Sequence, residues 1–112
     1  MSFISKTATI LNGAAISDAL TLEGKLPSNM VMPAAFAATA KIAFSISFDG
    51  TTYYPLRNID GTVYEIVFTA STAYALNRDL FRGVGWIKVR SALAGTGVNQ
   101  DADRAIIISV AD

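Results

Sequence analysis

Lys41-Ile-Ala-Phe-Ser-Ile-Ser-Phe-Asp-Gly50 decides the fold. Its even positions, Ile42, Phe44, Ile46 and Phe48, are apolar; its odd positions, Lys41, Ala43, Ser45 and Ser47, are small or polar. Successive side chains of a strand point to opposite faces, so a period of two marks a half-buried β-strand with one apolar face. The stretch stops at Asp49-Gly50, which suits a type I′ turn because both central residues of that turn need positive φ.

The same pattern extends in both directions. A short strand is expected through Tyr53, Tyr54 and Leu56, then a second turn at Asp60-Gly61. Residues 63–69 alternate again, with Tyr64, Ile66 and Phe68 on one face. Toward the N-terminus, residues 3–11 are rich in Ile, Thr and Phe and close at Asn12-Gly13, and residues 16–22 alternate up to Gly24. Met30–Met32 and Ala73–Leu76 read as short strands, the first limited by Pro27 and Pro33. Residues 84–92 and 104–111 are two further strands, and Leu93–Asp103, with two glycines and two aspartates, reads as an exposed loop. About eight strands with turn signals every 8–12 residues are the pattern of an all-β, antiparallel, jelly-roll-like sandwich. One helical turn is expected at Asn77-Arg-Asp-Leu-Phe-Arg-Gly83, with Leu80 and Phe81 plugging an end of the sandwich, and a loop or single turn from Pro33 to Ala40.

The chain has 112 residues, which allows one domain spanning residues 1–112, with residues 1–6 as a flexible or partner-held arm. Nine Lys and Arg balance nine Asp and Glu, and neither Cys nor His occurs. That excludes a disulfide scaffold, a thiol nucleophile, a histidine base and most zinc or copper sites. Zero net charge argues against a nucleic-acid partner. No apolar stretch approaches the ~20 residues of a membrane span, and Met-Ser-Phe-Ile-Ser-Lys lacks the pattern of a signal peptide. Hydrophobic residues make up 52% and charged residues 16%. Soluble domains carry about 25% charged residues, so this chain has too few charges to cover its surface and is expected to hide apolar area against partners or its own copies.

Catalytic chemistry is hard to assemble. Glu65 alternates with Tyr64 and Ile66 and is expected to face solvent; Asp49 and Asp60 belong to turns. Asn99, Asp101 and Asp103 offer oxygens for Ca²⁺, set against the plainer reading of a solvated Asx-rich loop. No catalytic, cofactor or metal residues are assigned. The candidates for contact are instead Trp86, flanked on its strand face by Lys88 and Arg90; the strand Ile106-Ile107-Ile108, apolar on both faces; and Phe3 and Ile4 near the start. Trp86 packed over the stems of Lys88 and Arg90, or under a loop, is the plainer alternative for that position.

Three stretches carry a resemblance: Phe44-Ser-Ile-Ser-Phe-Asp-Gly-Thr-Thr-Tyr53, Ala75-Leu-Asn-Arg-Asp-Leu-Phe-Arg-Gly-Val-Gly-Trp-Ile-Lys-Val-Arg-Ser91 and Val98-Asn-Gln-Asp-Ala-Asp-Arg-Ala-Ile-Ile107. In this order they resemble a family of small, mostly uncharacterised structural proteins of tailed bacteriophages, over about residues 13–110. The resemblance implies a non-enzymatic virion component made in the host cytoplasm. Its most concrete form is a capsid decoration or cement protein, oligomeric and bound to the major capsid protein or another virion protein; a tail, neck or baseplate component is the alternative. The Ser47-Phe-Asp-Gly-Thr-Thr-Tyr53 hairpin and the Trp86-Ile-Lys-Val-Arg90 strand also resemble galactose-binding, discoidin-like jelly rolls. That resemblance implies a carbohydrate-binding module, whose aromatic platform would come from Tyr53, Tyr54 and Trp86.

Overall fold

Two antiparallel sheets pack face to face in the computed structural model, which describes residues 3–36 and 40–112. Among these residues the strands are β1 Phe3–Ile10, β2 Leu20–Thr21, β3 Leu26–Val31, β4 Lys41–Ser47, β5 Tyr54–Pro55, β6 Ala73–Ala75, β7 Trp86–Leu93, β8 Thr96–Gly97 and β9 Arg104–Ala111. The first sheet runs β1-β9-β3-β6 and the second β2-β7-β4-β5, with β8 folded back on β7. Setting aside the two-residue β8 leaves eight strands whose order across the sheets is that of the double Greek key, a jelly roll. The one helical element among the described residues is a 3₁₀ turn, Arg78–Phe81, begun by Asn77, whose side chain accepts the Asp79 N–H at 3.2 Å.

The core lies between the inner faces. Ala8, Ile10, Met30, Ile106, Ile108 and Val110 come from the first sheet; Leu20, Ile42, Phe44, Ile87 and Val89 come from the second. Phe44 is its centre, edge-on to Phe81 at 5.3 Å and stacked with Tyr64 at 6.1 Å between ring centroids. Phe81 on the 3₁₀ turn closes one end and is fully buried.

Several expectations are corrected. Phe48 is 62% exposed and outside the core. Strand β4 ends at Ser47, because the Ser47 hydroxyl accepts the Gly50 N–H at 2.9 Å and turns the chain away before Phe48 can take its place in the ladder. Residues 63–69 form no continuous strand. They form isolated bridges, Arg57–Val63 and Ile42–Ile66, and the Thr69 N–H donates to the Tyr74 hydroxyl of β6, while Tyr64, Ile66 and Phe68 pack on the core. Residues 16–22 shrink to β2 plus a bridge from Ile16 to Arg90, because both Ser17 and Leu20 are buried and the alternation breaks between them. Of residues 1–6, expected as a flexible or partner-held arm, residues 3–6 are the first half of β1, in register with Ala111 to Ile108 of β9; Met1 and Ser2 lie outside the described residues. Of the segment 33–40, residues 37–39 lie outside the described residues and the rest contains no helix. Pro27 does not limit β3 but sits inside it, at a register shift with β9 and beyond the reach of β6, where its missing N–H leaves no ladder bond unmade.

The turns also differ in kind. Gly50 and Gly61 have φ of +81° and +89°, but Asp49 and Asp60 do not have positive φ, so neither is a type I′ turn. In the second, Gly61 N–H returns to the Asn58 carbonyl at 2.9 Å, giving a four-residue turn that ends on a left-handed glycine. The turns with two successive positive φ values are Glu23-Gly24 and Ala94-Gly95. The latter makes a β7–β8 hairpin inside the stretch read as an exposed loop.

Candidate assembly surface

Register decides which side chains share a face. In the first sheet Thr7 lies opposite Ile107, Ile107 opposite Val31, and Val31 opposite Ala73. The next row is Ser5, Ser109, Asn29 and Ala75, and Phe3 lies beside Ala111. Ile106, Ile108 and Val110 are fully buried, so these rows must point outward. Not one of the residues in them carries a charge. Phe3 at 68%, Ile107 at 41% and Val31 at 38% exposure form its apolar part. The outer face of an antiparallel sheet is usually where polar and charged side chains meet water; here hydroxyls, small side chains and three large apolar ones meet it instead.

The contact candidates from the sequence therefore separate. Phe3 and Ile107 share this face, with the row Ser5, Ser109 and Asn29 between them. Ile106 and Ile108 belong to the core, because strict alternation in a central strand leaves only one of the two faces for them. Ile4 turns toward the inner side at the end of β1, 40% exposed. The face adds Val31 and the small residues of β6, which the sequence reading passed over. The signal for them was present: β9 is apolar on both faces, so whatever flanks it shares its outward exposure.

Trp86, Lys88 and Arg90 lie on the other sheet and are half-buried. They stand opposite Ser47, Ser45 and Ala43 of β4, all nearly inaccessible. Three long side chains thus roof three small ones. The Lys88 ammonium sits 4.4 Å from the centre of the Tyr53 ring. Burial, and after it the Asp49 carboxylate, push the Tyr53 hydroxyl above its usual pKa. The Trp86 indole lies against Gly50. Glu65, expected to face open solvent, is half-buried and accepts the Gly95 N–H at 3.0 Å. These residues form a self-covered surface, the packed arrangement weighed as the plainer alternative for Trp86.

The carboxylates hold structure together. Asp101 pairs with Arg104 at 2.6 Å and Asp103 accepts the Asn12 N–H at 2.8 Å, so the oxygens considered for Ca²⁺ tie the 99–103 loop to the start of β9 and to the turn after β1. Among the described residues no three acidic side chains are grouped to hold a metal ion. A half-open groove of about 420 Å³ lies beside β1, lined by Thr9, Leu11, Ala14, Ile16, Ser17 and Asp18. Its polar groups bridge the two sheets: Asp18 accepts the Thr9 N–H at 2.9 Å, and the Ser17 hydroxyl accepts the Val89 N–H at 2.9 Å. No helix among the described residues is long and apolar enough to cross a membrane. Comparisons with protein-family models, with curated proteins and with solved structures find no match to this chain.

Proposed function

We propose that this protein is a non-enzymatic structural component of a bacteriophage virion, a decoration protein bound to the outside of the capsid. The observation that carries the assembly role is the uncharged outer face of the β1-β9-β3-β6 sheet, with Phe3, Ile107 and Val31 in water. Exposed apolar side chains on a sheet face that carries no charge favour a protein partner. The three sequence stretches that resemble phage structural proteins supply the kind of assembly. A small jelly roll with a closed core fits a part that must hold its shape while docked. The carbohydrate reading has less support: of its three candidates the Trp86 indole lies against Gly50 and the Tyr53 ring under the Lys88 ammonium, which leaves Tyr54, 53% exposed, as a single bare ring.

The test is co-sedimentation of the purified chain with heads and, separately, with tails of the phage that carries the gene. Saturable binding to heads is the expected result. Binding to tails alone replaces decoration with the tail alternative, and binding to neither removes the virion reading.

A further inference from the structure

We propose that the free edge of β1 pairs antiparallel with β1 of a second copy, about a two-fold axis at Ser5, joining two four-stranded sheets into one. The pairing does not depend on the virion reading, since it needs only this chain.

Strand β1 is the one long open edge among the described residues. It has eight residues, whereas β6, β5, β2 and β8 have three or two. Edge strands are normally blunted by a proline, a bulge, a charge on the edge or pointing inward, or a covering loop. Strand β1 has no proline and pairs with β9 without a register shift. Its single charge, the inward-pointing Lys6, is the one such device, and it is neutralised by Glu23 at 2.9 Å.

The open backbone groups can be identified. Thr9 donates its N–H to Asp18 rather than to β9. In an antiparallel ladder, alternate residues turn both backbone groups to the same side. Thr7, Ser5 and Phe3 therefore present their N–H and C=O to the free edge, while the even-numbered residues bond to β9. One register uses all three: Ser5 opposite Ser5 of the second copy, and Phe3 opposite Thr7 in both directions. That makes about six backbone hydrogen bonds. It places Phe3 over a Thr methyl, a favourable cross-strand pair. It sets Lys6 opposite Ile4 rather than opposite another Lys6, so no like charges meet. The ladder ends at Thr9, whose N–H Asp18 has already taken. A pattern that complements itself under two-fold rotation favours a second copy over an unrelated strand.

The test joins solution mass with crosslinking in a chain that has no native cysteine. The wild type is expected to approach twice its 11.9 kDa as concentration rises. Ser5→Pro removes only an outward N–H and is expected to weaken the dimer about tenfold or more. Its circular dichroism, unchanged from wild type, shows that the fold survives. Ser5→Cys is expected to crosslink into a covalent dimer under oxidation or with a short bismaleimide. Thr9→Cys is not, since the two Thr9 positions lie about 27 Å apart along the paired strands. A wild type that stays monomeric overturns the proposal. So does a dimer in which Ser5→Cys fails to crosslink, or in which Thr9→Cys crosslinks equally well.

Discussion

A β-carbon on Gly50 would stand 3.0 Å from Cε2 of the Trp86 indole. The glycine is therefore required twice, once for its φ of +81° and once for the ring that lies against it. Gly61 has a φ of +89° but open space around it. Gly61→Ala should cost about 1–2 kcal/mol, the penalty of a left-handed L-residue. Gly50→Ala should cost more, by a further ~1–3 kcal/mol for displacing a packed group. Urea midpoints measure both. The emission of the single tryptophan should shift in Gly50→Ala and stay put in Gly61→Ala. Equal losses with no spectral shift would contradict the contact.

Phe44 and Phe48 look equivalent in the period-two pattern and are opposite in the structure, one fully buried and the other 62% exposed. Phe44→Ala should cost about 3–5 kcal/mol, a core aromatic truncation. Phe48→Ala should stay within about 0.5 kcal/mol, as exposed substitutions do. Denaturant unfolding of the two variants decides it, and a large loss at Phe48 would mean that β4 continues past Ser47.

This pair shows what was legible. Alternation over Lys41–Ser47 and Arg104–Ala111 identifies strands whose periodicity is enforced by a buried face along their whole length, and the all-β sandwich follows from it. Strand ends are set differently. Ser47 captures a backbone amide with its side chain, and no hydrophobic count registers that bond. The turns were legible as places but not as types. Asp49 keeps ordinary φ because its carboxylate already satisfies the Thr51 and Thr52 N–H groups, each at 2.9 Å. The outward face was half legible: two-sided apolarity marked Ile107, whereas Val31 and Ala73 become its neighbours only through pairing of strands far apart in the chain.

Ala94 occupies the first central position of the β7–β8 turn at φ +51°, where an L-alanine is strained. Ala94→Asn places a residue that tolerates this region in an exposed site. It should raise stability by about 0.5–1 kcal/mol, the usual gain from matching residue to backbone. A lower urea midpoint would show that the hairpin adopts another turn.

Acid should weaken the fold through its turns. The Asp49 carboxylate accepts N–H bonds from Thr52 and Thr51 and a hydroxyl bond from Ser47, which hold its pKa below the ordinary 3.8. The Thr62 hydroxyl and then the Thr62 N–H lower the Asp60 pKa in the same way. Below pH 3.8 the unfolded chain binds more protons than the folded one, so this stabilisation is complete above that pH and is lost as pH falls through the depressed folded values. Urea midpoints should hold between about pH 7 and 5 and drop below about pH 4. The double variant Asp49→Asn, Asp60→Asn should show a shallower drop, and an unchanged slope would place the acid sensitivity elsewhere.

Ile107 lies at the middle of the uncharged outer face, between Thr7 and Val31, while its neighbours Ile106 and Ile108 are fully buried. Its side chain already meets water, so Ile107→Lys should change stability by less than about 1 kcal/mol. It puts a cation in the centre of a face that otherwise has none. If that face docks on the capsid, the lysine must be desolvated without a partner, and the affinity for heads should fall by about 1–3 kcal/mol or more. Lys88→Ala, on the self-covered sheet, should bind heads like the wild type. The β1 edge shares Phe3, Ser5 and Thr7 with this face but pairs through backbone groups of β1 that Ile107 does not supply, so Ile107→Lys should still dimerise. Co-sedimentation and solution mass on the same two variants separate the surfaces. Full head binding by Ile107→Lys, or its loss in Lys88→Ala, would move the docking site off the β1-β9-β3-β6 sheet.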